Sequence, residues 1–80
     1  MDVNEEVCQS ISEVLNLDRS NVNADSDSRN LEGWDSLGHL QIIMRLEQSC
    51  KVRFKTLEIP ELTSVRKLVG KINHLQSVTK

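Results

Sequence analysis

Ser36 is the residue of this 80-residue sequence with the clearest chemical potential. It lies in Gly33-Trp34-Asp35-Ser36-Leu37, at the expected mouth of a helix, where backbone N–H groups are free and the dipole favours an attached phosphate. The plainer reading of the same residues is that Asp35 or Ser36 only caps the helix. His39, three residues on, could pair with Ser36 as base with nucleophile, yet nothing orients the two, and by spacing His39 belongs with the apolar face of Ile43 and Leu46. His74, near the end of the last helix, suits the negative end of that helix dipole. Neither histidine stands at metal-ligand spacing from a cysteine, and Cys8 and Cys50, far apart and without CxxC spacing, read as reduced core residues. Asp25-x-Asp27 has the opening acids of a calcium loop, but Arg29, Asn30 and Ser36 stand where that loop needs an acid or amide, a glycine and a glutamate, so no metal site is expected.

The elements that must position Ser36 follow from hydrophobic period. Asp2 can cap a first helix, with Glu5 placed to reach back, and Val3, Val7, Ile11, Val14 and Leu15 form one apolar stripe to about Leu17. From Asp18 to Asp35 the period disappears into Asp, Asn and Ser, which predicts a long loop pinned by Val22, Leu31 and Trp34. A second helix is predicted from Asp35-Ser36 to about Cys50, and it carries two stripes. Ile42, Ile43, Leu46 and Cys50 form one; Leu37, Leu40 and Met44 form another, rotated well away. So small a chain has too few helices to cover both, so the second stripe calls for a partner or ligand. Lys51-Val-Arg-Phe-Lys55 reads as a connector that inserts Phe54 into the core, because one short strand has nothing to pair with. Thr56 to Ile59 can form about one helical turn before Pro60. Thr63 is expected to cap a last helix striped by Val65, Leu68, Val69, Ile72 and Leu75, in which Gly70 would permit close packing, and the tail from Gln76 to Lys80 should fray. The expected core is Ile11, Leu15, Ile43, Leu46, Phe54, Val65, Val69 and Ile72. The reading is an all-α, four-element helical bundle over residues 1–80, three main helices and one short one, as a single domain.

Composition narrows the function classes. Trp34 and Phe54 are the sole aromatic rings of the FWY set, so aliphatic residues must build the core, and a deep enzyme cleft is not expected. Residues 1–35 hold nine acids against two bases, and residues 36–80 three acids against eight bases. With a pI of about 5.6 and no aromatic residues among the bases, a nucleic-acid binder is not expected, and a local protein-docking patch fits better. An acidic start and the lack of a long apolar run argue against a signal peptide or membrane span, which leaves a cytoplasmic monomer as the expectation.

Taken in order, these residues resemble an acyl carrier protein. Asp35-Ser36-Leu37 opens the second helix after a long loop with Leu31-x-Gly33, and Leu62-Thr63-Ser64-Val65 opens the last helix. The resemblance covers nearly the whole chain. It implies that Ser36, flanked by Asp35 and Leu37, accepts covalent 4′-phosphopantetheine from coenzyme A through a phosphopantetheinyl transferase. The arm's thiol would carry an acyl group as a thioester between acyl-loading and acyl-accepting enzymes, and the protein itself would catalyse nothing. Leu37, Leu40 and Met44 match positions that in this family touch partners or the arm. Gly38-His39 follows the motif where the carriers of fatty-acid synthesis often have Asp, and the acids near Ser36 lie on the loop. That pattern resembles a discrete carrier of a specialised pathway and makes Asp27 and Glu32 candidate docking residues. An aminoacyl or peptidyl carrier shares the fold and the serine; an unmodified helical adaptor docking through Leu37, Leu40 and Met44 is the alternative from another class.

Overall fold

Three helices appear where the apolar stripes require them: α1 over Val3–Leu15, α2 over Ser36–Cys50 and α3 over Val65–Val78. The computed structural model describes residues 2–78. Short 3-10 turns at Arg19–Asn21 and Ile59–Glu61 punctuate the connections, and the one β pairing among the described residues is an isolated bridge between Asp27 and Ser64. None of the described helices is long and apolar enough to cross a membrane.

Side chains set the helix ends. The Asp2 carboxylate accepts from the Asn4 and Glu5 N–H groups at 3.0 and 3.4 Å, but Glu5 does not reach back; it pairs with Arg19 at 2.8 Å. α1 stops at Leu15, two residues short of the predicted end, because Asn16 turns left-handed at φ 57° and both Asn16 and Leu17 N–H bond the Ser12 carbonyl. Asn tolerates that conformation better than other non-glycine residues. α2 ends the same way at Lys51, φ 56°. α3 is capped by Ser64, whose hydroxyl accepts from Lys67 N–H at 3.2 Å. Thr63, the expected cap, instead gives its carbonyl to Ser28 N–H at 2.9 Å.

The loop between α1 and α2 is stitched to the start of α3. Ser28 N–H bonds Thr63 O, and Val65 N–H bonds Ser26 O at 3.0 Å. Val22 and Trp34 are buried and Leu31 packs against the core from its rim, as their spacing suggested.

α1 packs on both α2 and α3, and the core between them comprises Val7, Cys8 and Ile11, Ile42, Ile43, Leu46 and Cys50, and Val65, Leu68 and Ile72, closed by Val52, Phe54 and Leu62. Two expected core residues are only half-buried. Leu15 ends α1 and lies over Gly33 and Gly38 at the rim; Val69 yields the inward position to its neighbour Leu68, about 100° away on the helix. Cys8 and Cys50 are free and buried, and burial pushes both thiols up from their ordinary range.

Three local expectations are corrected. The short turn forms over Ile59–Glu61 and includes Pro60 rather than ending before it; a proline suits the first turn of a helix, where no N–H partner is needed. Gly70 is exposed, and a Cβ there would meet nothing within 4 Å, so it permits no close packing. α3 continues through Val78 past the expected fraying point, with the Gln76 amide bonded to the Cys50 carbonyl at 3.3 Å; Thr79 and Lys80 lie outside the described residues.

Candidate functional site

Asp35 and Gly33 build the platform on which Ser36 stands. Gly33 adopts φ 90°, a conformation open to glycine, and its carbonyl accepts the Asp35 N–H at 2.9 Å. The Asp35 carboxylate then folds onto Gly38 N–H at 2.9 Å and caps α2. Ser36 is thus the first residue of the helix, and it is exposed.

The cap leaves a specific set of groups open. Among the described residues, neither the Ser36 hydroxyl nor the Ser36 and Leu37 N–H groups have a hydrogen-bond partner. A free hydroxyl beside two free donors at the positive end of a 15-residue helix fits a phosphodiester, which needs an oxygen to bond and donors to balance its charge. Because the Asp35 carboxylate is held by Gly38 N–H, it does not occupy those donors.

Gly38 makes this geometry possible. A Cβ there would sit 2.6 Å from the Gly33 carbonyl oxygen and 3.2 Å from Leu15 Cδ2, so a side chain after Ser36-Leu37 would push the loop off the helix. This is the close-packing glycine that the sequence reading placed at Gly70. The one available signal was that Gly38 replaces the acid frequent after this motif.

His39 is buried, as its spacing indicated, but its bonds were not legible. Trp34 Nε1–H donates to His39 Nδ1 at 3.0 Å, and His39 Nε2 lies 2.7 Å from the Ile59 carbonyl. An indole N–H can only donate, so Nδ1 accepts and Nε2–H donates to Ile59. The two ring planes lie edge to edge, inclined by 28° with centroids 6.0 Å apart. With both ring nitrogens engaged, His39 has none to offer the Ser36 hydroxyl, and the nucleophile–base pair does not form. A cleft of about 310 Å³ opens beside Ser36, bounded by Trp34, His39, Ser28, Pro60 and Thr63, at the small end of ligand-pocket sizes.

The second stripe of α2 faces outward: Leu37, Leu40 and Met44 are 67, 49 and 61% exposed, while Ile42, Ile43 and Leu46 on the other face are at most 2% exposed. The loop acids differ from one another. Asp27 is half-buried, and its carboxylate accepts from Arg29 and Asn30 N–H at 2.8 and 3.2 Å. Asp25 pairs with Arg66 at 2.6 Å. Glu32 is exposed, with no partner among the described residues. No group of three His, Cys, Asp or Glu among those residues could hold a metal ion.

A protein-family model described as "Phosphopantetheine attachment site" matches residues 5–72, which takes in α1 from its third residue, all of α2 and the first half of α3. Among curated proteins, none matches the chain.

Proposed function

Because the chain belongs to the phosphopantetheine attachment family and carries 4′-phosphopantetheine covalently, we propose that Ser36 Oγ is the point of attachment and that the cargo of this carrier is an acyl group. The observation that carries the assignment is the exposed, unbonded Ser36 hydroxyl flanked by two free N–H donors at the start of α2. A phosphopantetheinyl transferase serves such a carrier, and partner enzymes load and unload it. In the attachment step Ser36 Oγ bonds to the coenzyme A phosphorus that bears the pantetheine. The bond from that phosphorus to the bridging pyrophosphate oxygen breaks, adenosine 3′,5′-bisphosphate leaves, and the hydroxyl proton passes to a base of the transferase. The terminal thiol of the arm supplies the thioester that holds the cargo. The chain's own part is to present Ser36, steady the phosphodiester with the Ser36 and Leu37 N–H groups, and dock partners; it catalyses no reaction itself.

Intact mass after incubation with coenzyme A and a broad-specificity transferase tests the attachment. One phosphopantetheine increment is expected on the wild type and none on Ser36→Ala; an increment on Ser36→Ala would overturn the assignment. Loading by an acyl-transferring partner, with failure of amino-acid loading by an adenylating one, is the outcome expected of an acyl rather than an aminoacyl carrier.

Docking, in this reading, uses Leu37, Leu40 and Met44 together with the loop acids Asp27 and Glu32. The Asp27 carboxylate also holds the loop, so its reversal would disturb structure and docking alike, whereas Glu32 has no partner among the described residues. Leu40→Ala and Glu32→Lys are each expected to lower kcat/KM of partner enzymes for the holo-carrier by roughly fivefold, about 1 kcal/mol. Unchanged kcat/KM in Glu32→Lys would remove the loop from the docking surface.

A further inference from the structure

The floor of the cleft beside Ser36 is a hydrogen-bonded chain rather than an open passage. It runs from Trp34 Nε1–H to His39 Nδ1, and from His39 Nε2–H to the Ile59 carbonyl. Trp34 and His39 are 5% and 7% exposed, and Trp34 belongs to the same buried cluster as Ile42 and Leu62. The second of these bonds ties α2 to the Ile59–Glu61 turn, and both Trp34 and His39 line the cleft that also touches Ser36. Parting this second bond would leave the His39 Nε2–H and the Ile59 carbonyl unpaired, and a hydrocarbon chain could replace neither side of it.

We propose that the Trp34–His39–Ile59 chain seals the bundle beneath Ser36, so that the cargo at the end of the arm rides outside the core. The acyl groups suited to such a carrier are short or polar ones rather than long hydrocarbon chains that need burial. The inference rests on Ser36 as the attachment residue, and it answers a separate question: where the cargo lies once attached.

Transferase-mediated loading from acetyl-, octanoyl- and dodecanoyl-coenzyme A, followed by thioester cleavage with hydroxylamine, tests it. Intact mass comes first: increments absent from Ser36→Ala keep the attachment reading, and their persistence there removes that reading and the proposal with it. With attachment secured, an exterior cargo gives cleavage rates that agree within about threefold across the three chain lengths. Slowing beyond that with dodecanoyl would show the chain taken into the bundle and overturn the seal. His39→Ala removes both bonds, and Trp34→Phe keeps a ring while removing the donor. At least one of the two, shown folded by circular dichroism, is expected to acquire the chain-length dependence that the wild type lacks. If both fold and neither acquires it, the hydrogen-bonded chain is not what bars the core. Trp34 is the single tryptophan, so its emission wavelength reports separation of the seal directly and should be the same for all three wild-type cargoes.

Discussion

Gly38 and Gly70 sit on different helices and face opposite surroundings. At Gly38 a Cβ would press on the Gly33 carbonyl oxygen at 2.6 Å, whereas at Gly70 it would meet nothing. Gly38→Ala is therefore expected to destabilise the protein by about 1–3 kcal/mol through forced backbone movement. Gly70→Ala should stabilise it by roughly 0.5–1 kcal/mol, since alanine restrains the unfolded chain and favours helix. Urea midpoints of the two variants decide the matter, and a neutral Gly38→Ala would show that the loop yields. Helix period alone could make neither assignment, because it says which face a glycine is on but not which backbone passes over it. The same limit applies to His39. Its burial follows from its spacing to Ile43 and Leu46, while its bonds to Trp34 and Ile59 depend on where the loop and the turn at Pro60 come to rest. The place of Ser36 at the start of α2 was legible for the opposite reason: its cap and its helix are local.

At the scale of elements, α2 presents the clearest division. Its two apolar stripes were readable from spacing alone, and burial separates them: Leu46 is fully buried and Leu40 half exposed. Leu46→Ala is expected to cost about 2–5 kcal/mol of stability, and Leu40→Ala to stay within about 0.5 kcal/mol of wild type. Equal losses in chemical denaturation would mean that the outer stripe is structural and not a docking face. Elements without a period were harder to place. The 3-10 turn at Arg19–Asn21 lies in a stretch of polar residues that offers no stripe, and Thr63 and Ser64 are chemically equivalent caps. Ser64 takes the role because the Thr63 carbonyl is engaged by Ser28, a contact across 35 residues of sequence.

At the scale of the molecule, the acidic first half and basic second half answer one another in part. Arg45 pairs with Glu13 and Arg66 with Asp25, although such exposed pairs contribute little stability. Stability in so small a protein comes from its aliphatic core, and that core holds two thiols. Burial raises both, with the Arg19 charge partly opposing the shift at Cys8. A group whose folded pKa lies above its unfolded one binds its proton more tightly in the folded state, so its contribution is full below the unfolded thiol value, ~8.5, and is lost as pH rises beyond it. The free energy of unfolding should therefore hold level up to about pH 8.5 and decline above it as pH rises toward the raised folded values, and the decline should flatten in Cys8→Ala/Cys50→Ala; an identical slope in that double variant would place the alkaline sensitivity elsewhere.

The bridge between Asp27 and Ser64, with the Ser28–Thr63 and Val65–Ser26 bonds beside it, ties the loop before Ser36 to the first residue of α3. Loop and helix start are therefore expected to open as one cooperative unit, so the amides of Ser28 and Val65 should show a common hydrogen-exchange lifetime. Whatever loosens the start of α3, a bound enzyme included, also slackens the segment that aims Ser36.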